Sequence, residues 1–211
     1  MPSKIEYWLQ LLAILTGIAV ILIPLLGFRR MDANARGRNS GTVASCVLRW
    51  PVMLVFTIGY MAVGILLWRP LPIILSPGIH LIILVVGSLL YFSGIALYLW
   101  GYVILGRMFS ISSGFGATLY QDHHLIRNGP YRFVRHPMYV GVILAAFGAL
   151  LIFRTWAMVL FSVSSLGVIF RARQEERLLA VEFGREWEVY KREVNGWVPT
   201  LRNRVKWSNT R

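Results

Sequence analysis

The chain is short of charge, of acidic residues, of cysteine and of metal-ligand spacing. Only 15% of its 211 residues are charged, against about 25% in typical soluble proteins. Hydrophobic residues make up 56%, and mean hydropathy is +0.60. An ordinary water-soluble domain of this length could not hide that much apolar surface, and the apolar residues come in long blocks. A single cysteine, Cys46, excludes an internal disulfide, and no Cys/His set stands at metal-ligand spacing, which leaves no basis for a zinc or iron–sulfur centre. Nine Asp+Glu against 22 Lys+Arg give a net charge of +13. Such an excess suits a nucleic-acid binder, but the cations lie between the apolar blocks rather than along one helix face, which argues against that class. No block carries Asp, Glu, Lys or Arg near its middle, where ion pumps and proton relays place them, so a transporter of that type is disfavoured.

What is present is a polytopic helical pattern. A hydrocarbon core about 30 Å thick needs roughly 20 apolar residues of helix. Candidate spans run from about 7–28, 50–68 and 79–105, then 137–153 and 156–170, the last two separated only by Arg154-Thr155. The first also fits a signal peptide, but its apolar core is long for one and no A-x-A cleavage site follows, so a retained helix is expected. The expected architecture is all-α with five transmembrane helices. The last two form a tight hairpin, tilted or sheltered because each is short for a full crossing, and a cytoplasmic amphipathic helix follows them. Residues 1–105 would hold the first three spans, 106–199 the catalytic region and 200–211 a basic tail. Lys and Arg number five in 29–49, four in 106–136 and ten in 171–211, against Lys4, Arg69 and Arg154 on the opposite side. The positive-inside rule therefore puts the N-terminus outside and the C-terminal tail in the cytoplasm. Small size and short loops lean toward a bacterial inner membrane, with anionic lipids as partners of the basic side.

Polar residues able to do chemistry fall in two clusters at the cytoplasmic edge. The first is 122–139, with sequence DHHLIRNGPYRFVRHPMY. Asn-Gly-Pro is a turn signal, and Pro137 suits the first turn of a helix. Arg135-His136 then sits at a helix N-terminus, where backbone N–H groups and the positive dipole end favour an anion such as a cofactor carboxylate. Headgroup contacts by Arg135 and His136, with Tyr131 and Tyr139 as interfacial anchors, are the plainer alternative. The second cluster is 171–177, RARQEER, which also reads as a solvated face laced with ion pairs. Beyond it Leu179, Phe183, Trp187, Tyr190 and Val194 recur at helical spacing, a packing stripe that Gly184 would break or bend. The lone G-x-G at 114–116 follows no strand pattern and is expected to be a loop. His80, near the outer mouth of the third span, reads as an interface residue.

Together the clusters resemble the isoprenylcysteine carboxyl methyltransferase family and its phospholipid methyltransferase relatives. The matching elements are His123-His124-Leu125-Ile126, Gly129-Pro130-Tyr131, Arg135-His136-Pro137-Met138-Tyr139 and Glu175-Glu176, followed by Phe183-Gly184, Trp187, Tyr190 and Pro199. They cover about 120–199; the first hundred residues match in hydropathy alone. The resemblance implies an integral membrane enzyme that uses S-adenosylmethionine without a Rossmann fold. It places His123, Leu125, Ile126, Gly129 and Tyr131 on the adenosyl side, and His136 and Tyr139, beside Arg135, at the methionine end. Glu175 would close the pocket, and Arg171 and Glu176 would meet the methyl acceptor. Arg177 departs from an acidic residue common in carboxyl methyltransferases, and Trp187 stands where Tyr is usual.

A methyl transfer of this kind demands that donor and acceptor be held about 3–3.5 Å apart in line. A carboxylate acceptor is ionised at neutral pH and needs only orienting, which Arg171 could do bidentately. An amine must first lose a proton, and Glu176 would then serve as base. The expected acceptor is a lipophile arriving from the bilayer, with an isoprenylcysteine-like carboxylate first and a phospholipid amine or another small lipophile as alternatives. No nucleic acid or metal is expected. Membrane sterol reductases end in a comparable stretch but use NADPH and more spans, and a non-catalytic scaffold is the remaining alternative.

Overall fold

The computed structural model describes residues 4–31, 50–106 and 125–199. His123 and His124, Cys46 and the G-x-G loop therefore lie outside the described residues, as do 107–124 of the expected catalytic region and the basic tail. The described chain is helical: α1 Lys4–Met31, α2 Trp50–Leu66, α3 Pro77–Leu105, a 3-10 turn at Gly129–Arg132, α4 Pro137–Phe153, α5 Trp156–Ser165, α6 Val168–Phe183 and α7 Arg185–Glu193. Among the described residues, two helical runs are long and apolar enough to cross a bilayer, Pro77–Leu105 and the interrupted run Trp156–Phe183. The second of these carries helix well past the expected boundary at 170, with a break after Ser165 where Gly167 caps α6. α4 is apolar throughout but only 17 residues long, about 26 Å at the helical rise.

Local chemistry accounts for the ends. Proline occupies the first turn of both α3 and α4, where a missing N–H breaks no intrahelical bond. α4 stops at Arg154 in the left-handed region (φ 49°), and Thr155 caps α5 by accepting the Met158 N–H at 3.3 Å. That two-residue turn is pinned by the chain entering α3. Leu71 N–H donates to Arg154 O at 2.7 Å, and Trp156 N–H donates to Arg69 O at 3.1 Å.

α3 and α4 run antiparallel with their backbones in near contact. Gly87, Gly94 and Gly101 on α3, at heptad spacing, meet Gly148, Gly141 and Met138 on α4. A Cβ on Gly94 would stand 2.5 Å from Ala145 N and 2.6 Å from Gly141 O, and one on Gly148 would collide with Tyr91 N. Small residues permit this approach where lipid supplies no hydrophobic drive between helices. α1 docks through polar bonds that its apolar sequence does not advertise. Tyr91 Oη donates to Ala13 O at 2.6 Å, and Gln10 Nε2 donates to Ile152 O at 3.3 Å. The buried carboxylate of Glu6 pairs with Arg154, and His80 Nε2 lies 3.2 Å from its other oxygen. His80 is thus an interhelical partner, a role that its position near the end of the span did not suggest.

Gly94→Ala is expected to destabilise the detergent-solubilised protein by about 1–3 kcal/mol, because the obstructing atoms are backbone and cannot swing aside. Gly64→Ala, where a Cβ meets nothing within 4 Å, is the control. Equal thermal unfolding curves for the two variants would contradict the close α3–α4 contact.

Candidate functional site

The site is assembled where the N-terminus of α4, the C-terminal end of α3, the acidic turn of α6 and the segment after α7 come together. The entering chain is shaped first. Asn128 is extended, Gly129 takes φ 59°, and the 3-10 turn closes with Phe133 N–H donating to Pro130 O at 3.0 Å. Gly129 is required twice over: its φ is left-handed, and a Cβ there would stand 2.7 Å from Ile104 Cγ1 and 3.3 Å from Trp100 Nε1. Tyr190 Oη donates to Tyr131 O at 2.6 Å and anchors the turn from α7. Leu125 packs against the buried cluster of Trp187, Tyr190 and Val194. Ile126 is half-buried beside it in sequence. Burial, reinforced by the charge of Glu175, pushes the Tyr131 hydroxyl far above its ordinary pKa, so it stays a neutral donor.

At the start of α4, His136 is the residue before Pro137 and its ring is buried, 5% exposed. Two rings lie against the imidazole, Tyr139 stacked at 5.6 Å and Trp197 tilted at 5.4 Å. Its Nε2 is 2.9 Å from Glu176 Oε1, and because an ionised carboxylate can only accept, that nitrogen carries the proton. The same oxygen receives Arg135 Nη2 at 2.7 Å and Nε at 3.2 Å. The neighbouring acid faces the other way along α4. Tyr139 Oη donates to Glu175 Oε2 at 2.8 Å, and Arg171 engages the same hydroxyl. Tyr98 of α3 lies near both Arg171 and Tyr131.

His136 and Glu175, 39 positions apart in the sequence, therefore border one polar centre through Tyr139. Arg171, Glu176, Tyr131 and Arg135 join it. The grouping within the acidic turn differs from a simple Arg171–Glu176 pair: Glu176 is held by Arg135 and His136, while Arg171 stands with Tyr139. Arg177 is exposed, so the departure at that position lies away from these contacts. Trp187 fills the packed cluster at 1% exposure. The packing stripe is met in full: α6 ends at Phe183, Gly184 turns the chain at φ 48°, and Trp187, Tyr190 and Val194 are buried. Sequence reasoning passed over Tyr98, Trp100, Ile104 and Trp197. The first three look like any interfacial aromatic or apolar residue at a helix end, and Trp197 lies beyond the periodic stripe.

The hydrogen bond from His136, opposed in part by burial and aided by Arg135, lowers the Glu176 carboxyl from its ordinary 4.5 to about 2. A depressed carboxyl adds stability above the unfolded-state value and loses it as pH falls through the folded-state value. Glu176→Gln is therefore expected to melt below the wild type at neutral pH, the gap closing as pH drops from about 4.5 toward 2. Thermal unfolding across that series tests it, and a gap unchanged at the acid end would show that Glu176 is not held ionised.

With this geometry in view, the comparisons with known proteins bear on the same stretch of chain. Residues 82–186 match the family model described as phospholipid methyltransferase, which takes in most of α3, the 3-10 turn, α4, α5 and the acidic turn of α6. A similar protein is protein-S-isoprenylcysteine O-methyltransferase of Schizosaccharomyces pombe. It is 32% identical over 83 residues, which are 38% of this chain and 35% of that protein. The matched region thus spans about a third of the relative's length. The matched stretch carries the RHPxY and Glu175-Glu176 elements through which the sequence resembles this group, and the structure brings those elements to one polar centre: over this stretch the chain is similar to the phospholipid methyltransferase family and to an isoprenylcysteine O-methyltransferase.

Proposed function

We propose that this chain is an integral membrane methyltransferase that uses S-adenosylmethionine and acts on a lipophilic acceptor, with an isoprenylcysteine-like carboxylate as the preferred acceptor. The observation that carries the reading is the convergence of His136, Tyr139, Glu175 and Glu176 from two clusters some forty positions apart on one polar centre at the end of the helix bundle. The donor set suits the cofactor's parts. Glu175 offers a carboxylate to a cationic group, and the first turn of α4 presents backbone N–H groups to an anionic one. The aromatic surfaces of Tyr131 and Tyr139 suit flat or apolar portions. In this proposal His123, Leu125, Ile126, Gly129 and Tyr131 hold the adenosyl side, His136 and Tyr139 hold the methionine end, and Glu175 closes the site. The bound cofactor would supply a methyl group already activated on a sulfonium.

What remains for the protein is positioning. Arg171 would orient the acceptor carboxylate, a planar anion matched by a guanidinium fork. Tyr139, held between Arg171 and Glu175, would fix the distance between the two halves of the site. Glu176 at about 2 is a weak base, poorly suited to taking a proton from an ammonium. That favours an acceptor ionised beforehand over a phospholipid amine. The excess of Lys and Arg on the same side as this site supports a cytoplasmic active centre, reached by the acceptor through the bilayer.

Labelled methyl transfer from S-adenosylmethionine into a prenylated cysteine compound and into total lipid extract tests the proposal. Label is expected in the prenylcysteine; label confined to phospholipid would move the acceptor to the amine. Calorimetric titration is expected to show binding of S-adenosylhomocysteine and none of NADPH, and the reverse result would mark a reductase. Arg171→Ala is expected to lower turnover by about 100-fold or more while S-adenosylhomocysteine binding stays near wild type. Equal loss of both would remove Arg171 from the acceptor side.

A further inference from the structure

Arg135 reads from sequence as an anion-binding residue at a helix N-terminus, yet its guanidinium is engaged on three sides by the protein itself. Nε and Nη2 donate to Glu176 of α6. Nη1 donates to Lys191 O at 2.9 Å and Val194 O at 2.7 Å, the carbonyls that end α7. Its plane lies over the Trp187 ring, 5.7 Å from the centroid, a cation–π distance. The backbone repeats the connection. Arg135 N–H donates to Asn195 O at 2.9 Å and His136 N–H to Gly196 O at 3.1 Å. Gly196 is matched to this contact, since a Cβ there would press on Arg135 Nη2 at 3.3 Å. These bonds lay residues 194–197 across the start of α4 and bring the Trp197 ring onto His136.

We infer that Arg135 is a positioning residue rather than a cofactor ligand: it fastens residues 194–197 as a strap over His136 and, through the same guanidinium, holds Glu176 toward the imidazole. The reasoning is one of donors and geometry. A guanidinium has five N–H groups in a rigid fork, and here at least four of its donor bonds go to fixed protein acceptors on two helices. The carbonyls at the end of α7 are orphan acceptors at the negative end of a helix dipole, which a cation satisfies. A lysine ammonium is a point donor and cannot reach Glu176 and both carbonyls at once. Three elements that carry the site, α4, α6 and the strap, therefore share one side chain. The inference concerns the methyltransferase site proposed above and rests on that reading only for its ligand-binding arm.

The test uses the full-length protein in detergent micelles. Hydrogen exchange of peptides covering 133–138 and 190–199 is followed in wild type, Arg135→Gln and Arg135→Lys. Binding of S-adenosylhomocysteine and of 5′-methylthioadenosine, which lacks the amino-acid part, is measured alongside. Both variants are expected to lose protection in these two peptides and not in α3. Both are expected to weaken the two nucleosides by the same factor, about tenfold or more. Lys is expected to give no rescue. If Arg135 instead binds the cofactor carboxylate directly, the loss falls on S-adenosylhomocysteine alone and protection of the strap is unchanged; either result overturns the inference. Should Arg135→Gln not fold, Trp197→Leu leaves the guanidinium in place and is expected to expose His136, raising exchange at 133–138. Unchanged exchange there would count against the strap. If the wild type binds neither nucleoside, the methyltransferase reading fails, and the exchange measurements alone decide the fastening.

Discussion

The near contact of the α3 and α4 backbones sets the frame on which everything else is hung. Within hydrocarbon a helix satisfies its own polar backbone, so helices gain little from hiding apolar side chains from one another. What they gain from is dispersion, and that requires closeness. Glycines at 87, 94 and 101 against 141 and 148 provide it, and they also lock the register. With register fixed, the C-terminal end of α3 is opposite the N-terminal end of α4. Tyr98, Trp100 and Ile104 thereby stand next to the 3-10 turn and the first residues of α4, and the polar centre has a floor.

Above that floor the charges are arranged in two sets rather than one. One carboxylate, Glu176, takes three nitrogen donors on a single oxygen and sits low in pKa. The other, Glu175, accepts from the Tyr139 hydroxyl, which Arg171 also engages. Adjacent acids on one helix point about 100° apart, and the protein uses that divergence. One acid closes the internal network that holds α4, α6 and the tail segment together, and its neighbour remains beside the groups suited to a bound cation. Assigning both to one role from their adjacency would miss this division of labour.

How much of this could be read in advance follows from the range of the forces involved. Helix ends at Pro137 and Gly184 are local chemistry and were legible, as was the buried stripe at Trp187 and Tyr190, which rests on periodicity. The two clusters were legible as belonging together because their residue types match a known pattern. The partner of each acid was not, since choosing between Arg135 and Arg171 for Glu176 depends on where α7 ends in space. Neither was the break after Ser165, in a stretch whose apolar composition reads as one span. Trp197 was invisible for the same reason as Glu6: each is a lone residue whose meaning comes from a partner far away in the chain.

Glu6 shows where that distance leads. It lies on the first helix, its carboxylate 3% exposed, and its guanidinium partner Arg154 comes 148 residues later. A buried carboxylate without a partner is costly, so the seat of the first helix depends on the cation supplied by the α4–α5 turn as well as on the Tyr91 bond to Ala13. A substitution at Arg154 would therefore be felt at a helix far upstream of the change.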